Sequence, residues 1–297
     1  MLLIACTLFA LTPFGGDPPA CDDIAEALRR AEHLEAFADF WTEVAICLND
    51  DDGHDRRACF QAAKAARLEA RELADARYQA RLDVCALLGH GTYEPDIEPH
   101  EFSTTVTNPY WPLVVGRTLT YEGQVADGLE VIVVTTLDET VEVDGFECRV
   151  VQDTVTIDGE RIEDTRDFYA QRWNGDVWYF GEVVLNYEDG FLDNLHGAWR
   201  TGKDDAEAGI TMPATVIPGA IFRQEFLIGQ AEDVSRMLET GLTVTVPAGT
   251  FHDCIKTEEW TPVEPGVFAH KWYAPGVGLI RELELATGEV VELVSIQ

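Results

Sequence analysis

Two different periods of apolar residues divide the chain. From Asp22 to about Leu48, the residues Ile24, Leu28, Ala31, Leu34, Ala38, Trp41, Val44 and Leu48 recur at spacings of three and four, the single buried stripe of an amphipathic helix. A second stripe, Phe60, Ala63, Ala66, Ala70, Leu73, Ala80, Val84 and Leu87, predicts a helix over 55–88, and its alanines let two backbones approach closely. After Gly89 and Gly91 the segment 92–107, with Pro95 and Pro99, reads as an extended linker. Beyond it the period drops to two, as in "GLEVIVVTTLDETVEV" and "ECRVVQDTVTI". Asp127-Gly128, Asp144-Gly145, Asp158-Gly159, Asn174-Gly175 and Asp189-Gly190 are the two-residue type that tight hairpins require. They leave strands of roughly a dozen residues and predict an up-and-down antiparallel meander.

The second half of the meander echoes the first. "PLVVGRTLTYE" resembles "ATVIPGAIFRQE", "VDGFECRVV" resembles "PAGTFHDCIKT", and "DFYAQRWNGDVWYFGE" resembles "HKWYAPGVGLIRELE". Two such halves, about 108–200 and 212–297, make about eleven strands, and an open sheet of that size curls or splits. "AEDVSRMLE", Ala231 to Glu239, is the one helix expected there. The fold class is therefore α+β: a helical hairpin (21–91), a linker (92–107) and a large curled, half-barrel-like antiparallel sheet (108–297). Strands such as "ERIEDTRDFYAQR" are charged on both faces and offer no continuous lipid band.

The apolar opening "MLLIACTLFALTPF" makes 1–20 a signal peptide, with "LIAC" as an alternative lipobox in which Cys6 carries a lipid anchor. No later apolar run is long enough for a membrane span. Export to the cell envelope or beyond favours disulfides. Cys47 lies 26 residues after Cys21, and Cys85 lies 26 after Cys59. Two antiparallel helices with equal arms thus bring Cys47 opposite Cys59 at the tip and Cys21 opposite Cys85 at the base. Cys148 and Cys254 hold matching places in the two halves and are expected to form a third bridge.

The tip loop "NDDDGHD" has two readings. It is a capped turn between helices, or a loose cation site of Asp50, Asp51, Asp52 and Asp55. The EF-hand pattern fails at both obligatory ends, where Leu48 and Cys59 stand. With 54 acidic against 21 basic residues the formal charge is −33, which repels nucleic acid and anionic lipid. The scarcity of lysine suits a saline habitat and equally a GC-rich coding sequence. No G-x-S-x-G, H-E-x-x-H, P-loop or C-x-x-C is present, and no cofactor is implied. Tyr169, Trp178, Phe180, Trp272 and Tyr273, with Glu182 and Lys271 beside them in sequence, are either concave-face packing or the lining of an apolar pocket.

"VPAGTFHDCIKTEEW" followed by "KWYAPGVGLIRELE", with "DFYAQRWNGDVWYFGE" in the middle, resembles uncharacterised secreted bacterial proteins built on a duplicated antiparallel β domain. The resemblance covers roughly 108–297, omits the hairpin and implies no activity. The expected function is that of an exported acidic interaction protein without catalysis, its partner another protein. The alternative is a carrier of a hydrophobic small molecule, lipid or peptide in the curled sheet. A secreted hydrolase with an unfamiliar site is the third reading.

Overall fold

The computed structural model describes residues 21–49 and 53–297. The signal segment, Cys6 and the loop aspartates Asp50, Asp51 and Asp52 lie outside them. Helix α1 (Cys21–Leu48) and helix α2 (Gly53–Leu88) form an antiparallel hairpin. Cys21–Cys85 and Cys47–Cys59 bridge it at base and tip, with Cα separations of 5.7 and 5.6 Å, inside the range a disulfide allows. Ala25, Ala36, Ala63 and Ala74 are buried. Leu34, Trp41 and Leu48 of the expected stripe are exposed instead. Two helices share only a narrow seam, and small residues and cysteines fill it, so the large apolar side chains are left at its margins.

The base of the hairpin is tied to the β domain by charge. Arg81, buried on α2, donates to Glu32 of α1 (3.1 Å) and to Glu232 of the β domain (3.1 Å). Arg77 donates to the carbonyl of Val263 at 2.7 Å, and the ring of Tyr93 packs edge-on against Phe226.

The β domain opens with short β1 (Phe102–Ser103) and then runs β2 (Thr118–Val125), β3 (Gly128–Val143), β4 (Phe146–Ile157), β5 (Glu160–Arg172) and β6 (Val177–Glu188). Short strands follow: β7 (Phe191–Asn194), β8 (Trp199–Arg200), β9 (Glu207–Met212), β10 (Ile221–Arg223) and β11 (Glu225–Phe226). The chain ends in β12 (Val234–Val246), β13 (Gly249–Trp260), β14 (Phe268–Ala274), β15 (Gly278–Glu284) and β16 (Val290–Ile296). The spatial order is β10-β12-β13-β14-β15-β16-β2-β3-β4-β5-β6-β9-β11, all antiparallel, so the last strand pairs with the first long one and the sheet curls into a nearly closed barrel. Sixteen strands replace the expected eleven or so, the excess being the short ones.

Two expectations are corrected here. Ala231 to Glu239 is not a helix: from Val234 onward it is β12. Val234, Ser235 and Met237 are all fully buried, so both faces of this strand are covered, and the spacing of Val234, Met237 and Leu238 imitates a helical stripe. Cys148 and Cys254 are not bridged; both are free and buried. Cys148 packs with Val150, Phe168 and Phe180, and Cys254 with Val244, Ala274 and Ile280. Equivalent places in the two halves are not neighbouring places, since five strands stand between β4 and β13. The extended segment 92–107 lies against the β domain. Ile97 and Phe102 pack on the face of β4 to β6, with Phe102 5.2 Å from Phe146 and 5.4 Å from Phe180.

Non-reducing peptide mapping should return Cys21–Cys85 and Cys47–Cys59, and thiol titration in denaturant should find Cys148 and Cys254 reactive. Replacing Arg81 with Met leaves Glu232 buried without its cation and should cost roughly 3–5 kcal/mol in denaturant unfolding. A change under about 1 kcal/mol would mean the dock contributes little.

Candidate functional site

The curled sheet turns one charged face inward. Along β5, alternation sends Glu163, Thr165, Asp167 and Tyr169 to one side, and Phe168 and Ala170 to the other, where they join Cys148 and Phe180. Register carries the inward side to Val151 and Asp153 of β4, then to Val134 of β3 and Tyr121 of β2. These residues, with Val291 of β16, Leu279 and Glu282 of β15 and Lys271 of β14, surround a cavity of about 260 Å³. Trp111 and Leu113, on the loop before β2, complete the wall, with the Trp111 ring 5.5 Å from Tyr169 and 5.9 Å from Tyr273. On β6 a bulge at Gly181 resets the alternation so that Glu182 pairs directly with Asp167. Only glycine fits there: φ is +128°, and a Cβ would collide with the carbonyl of Trp199.

Most of the charge around the cavity is tied up. Lys271 Nζ lies 3.1 Å from Glu259 and 3.6 Å from Glu282, and Glu259 also accepts from Tyr273 Oη and Thr257 Oγ1 at 2.9 Å each. Burial alone would lower the Lys271 pKa, but these two carboxylates outweigh it and hold the amine protonated. Arg117 spends its guanidinium on the carbonyls of Gly276, Val277 and Pro112. Asp167 accepts from Tyr179 Oη at 2.6 Å; burial nevertheless pushes its pKa up to about 7. Burial, then the Asp167 charge, pushes Glu182 up to about 9, so the two carboxyls titrate as a pair.

Asp153 is the exception. Burial raises its pKa well above the carboxylate range, and Asp167, Glu163, Glu130 and Asp164 all add to the shift. Its Oδ1 is fully screened from solvent and has no hydrogen-bond donor. Two hydroxyls near it are committed elsewhere: Thr165 to Glu163 (2.8 Å) and Tyr121 to the carbonyl of Leu279 (3.0 Å).

The residues singled out in the sequence divide by face. Tyr169 and Lys271 line the cavity; Tyr273 adjoins it, and Glu182 sits beside Asp167. Trp178 and Phe180 point the other way, under Phe102, and Trp272 lies on the opposite side of β14 between Lys256 and Arg281. Asp153, Asp167, Trp111 and Leu279 were not singled out. For Asp167 the signal was the charge on both faces of "ERIEDTRDFYAQR", since in a covered sheet one of those faces must turn inward; Asp153, Trp111 and Leu279 lie outside that segment. Among the described residues no three His, Cys, Asp or Glu side chains gather as a metal site; Asp55 opens α2 and is exposed.

No protein-family model and no curated protein matches the chain. Among solved structures it is similar to a "putative lipoprotein" from Parabacteroides distasonis, at 16% identity and a TM-score of 0.35, over 63% of this chain and 98% of that one.

Asp167 and Glu182 bind protons more tightly folded than unfolded. The stability they contribute is therefore complete below about pH 4 and is lost as the pH rises through about 7 and then about 9. Thermal melts should show Tm falling from pH 5 to pH 9. The Asp167→Asn, Glu182→Gln double variant should fall less, by a margin on the order of a few kcal/mol. Parallel slopes in the two proteins would refute the assignment.

Proposed function

We propose that the protein is an exported binding protein that carries a hydrophobic small molecule inside its barrel. The cavity supports this reading: Leu119, Ile132, Val134, Val151, Leu279 and Val291 line it together with a smaller set of polar groups, among them Asp153, Asp167, Lys271 and Glu282, the pattern of a ligand site. Each Å² of apolar ligand surface taken from water there gains about 25 cal/mol. Lys271 and Arg117 are held by fixed partners, which suits holding a ligand better than turning one over. Two disulfides favour an oxidising compartment, in keeping with the leader expected at 1–20. Among the described residues no helix is long and apolar enough to cross a membrane.

The hairpin supports a second reading, a protein-contact face. Leu34, Trp41, Ile46, Leu48 and Leu68 are each more than half exposed, which is costly unless something covers them.

A neutral apolar dye such as Nile red separates the two. The cavity reading expects one saturable site in the intact protein, lost in Val134→Trp, which fills the wall, with an unchanged Tm. Equal binding by both proteins would place the dye elsewhere and sink the cavity reading.

A further inference from the structure

We propose that the exposed apolar stripe of α1 and the unpaired cations of α2 beside it form one docking face, and that its occupant is an acidic amphipathic helix of a partner protein. This deepens the contact-face reading of the hairpin and rests on it.

Leu34, Phe37, Trp41, Val44 and Leu48 recur at spacings of three, four, three and four, the seam by which one helix packs on another. Helix α2 does not cover this seam. The hairpin closes through Ala36 and Cys47 instead, and Leu34 and Trp41 remain 69% and 54% exposed. The stripe is nonetheless ordered: the Trp41 ring packs edge-on against Phe37 (6.2 Å) and Phe40 (5.5 Å). From Leu34 to Leu48 it is about 21 Å long, which accommodates a helix of about four turns.

Cations run along the edge of the stripe. Arg67 of α2 lies over the rings of Phe37 and Phe40, 4.8 and 5.3 Å from their centroids. Lys64 and Arg71, three residues before it and four after, share its side of α2, as does the exposed Leu68. Nearer the base the two helices are cross-linked by Arg29 to Asp75 and by Arg81 to Glu32. Lys64, Arg67 and Arg71, by contrast, make no ion pair among the described residues, in a chain with 54 acidic side chains. An occupant must therefore bring hydrocarbon for the stripe and carboxylates for its edge, and a helix with acidic flanks brings both. A second copy would meet this face across a two-fold axis with the same face, and so with the same cations. A flat anionic bilayer would feel the whole charge of −33, whereas a single helix meets this face alone.

Fluorescence anisotropy with two labelled synthetic helices, each about five turns long, tests this. Both carry the same leucine stripe, flanked by Glu in one and by Lys in the other. At low salt the Glu peptide should bind about tenfold more tightly than the Lys peptide, the effect of three exposed ion pairs, although the overall charge of −33 favours the reverse. Raising the salt should erase that preference. In the Lys64→Glu, Arg71→Glu variant the Lys peptide should bind better. Trp41→Ser should weaken both peptides about tenfold at an unchanged Tm, its ring being half exposed. Equal binding, or a preference of the native protein for the Lys peptide, would overturn the acidic partner and leave the contact face standing. Binding of neither would overturn the contact face itself. A Glu preference that survives the double variant would place the peptide elsewhere. A dimer in sedimentation, or attachment to phosphatidylglycerol vesicles, that Trp41→Ser abolishes would give the face to another occupant, and each of these results overturns the proposal. The two-peptide comparison on the native protein needs no variant, so a poorly folding one would not shelter it.

Discussion

The interior of this protein depends on the pairing of β16 with β2. Without it the two meanders would be open sheets with long bare edges, and the carboxyls of β4 and β5 would face water. The register runs from Val291 opposite Gly123 to Ile296 opposite Leu119, and beyond it Thr118 and Gln297 exchange backbone hydrogen bonds of 2.9 Å in both directions. Gly123 is what lets the strands meet, since a Cβ there would stand 2.6 Å from the carbonyl of Val290. A closure made by the final strand also means that the barrel cannot form until the whole β domain is available to fold.

Closure brings a liability with it. Asp153, Asp167, Glu182, Glu225 and Asp233 are all enclosed, and burial raises the pKa of each. Hydrophobic residues of similar volume would make a more stable core. Acids retained in such a place are an argument for use, because stability alone would not select them. Glu182 apart, which its aromatic neighbours picked out, the same acids are individually invisible in the sequence, being four among 54.

What the sequence made legible followed from local geometry. Equal spacing of cysteines located both hairpin bridges, because a helix has a fixed rise per residue. Asp144-Gly145, Asp158-Gly159 and Asp189-Gly190 do adopt positive φ at both positions, whereas in Asp127-Gly128 and Asn174-Gly175 only the glycine does. The illegible part was which face of each strand lies inside. Trp178 and Phe180 are as buried as Tyr169, because residues 97–102 cover the outer face as fully as the barrel covers the inner one. A period of two then identifies two faces without saying which is concave. The bulge at Gly181, which moves Glu182 from one face to the other, is set by the approach of β8, a strand of two residues. Nothing local announces it.

The two bridges of the hairpin have a mechanical consequence. Cross-linked at both ends, the helices cannot slide past one another, and together they behave as a single stiff rod about 40 Å long. Its foot is clamped on the barrel at Arg81 and Glu232, so a lateral load applied at the tip arrives there as torque, multiplied by the length of the arm. The junction of rod and barrel, more than either part alone, is where this molecule would yield under force.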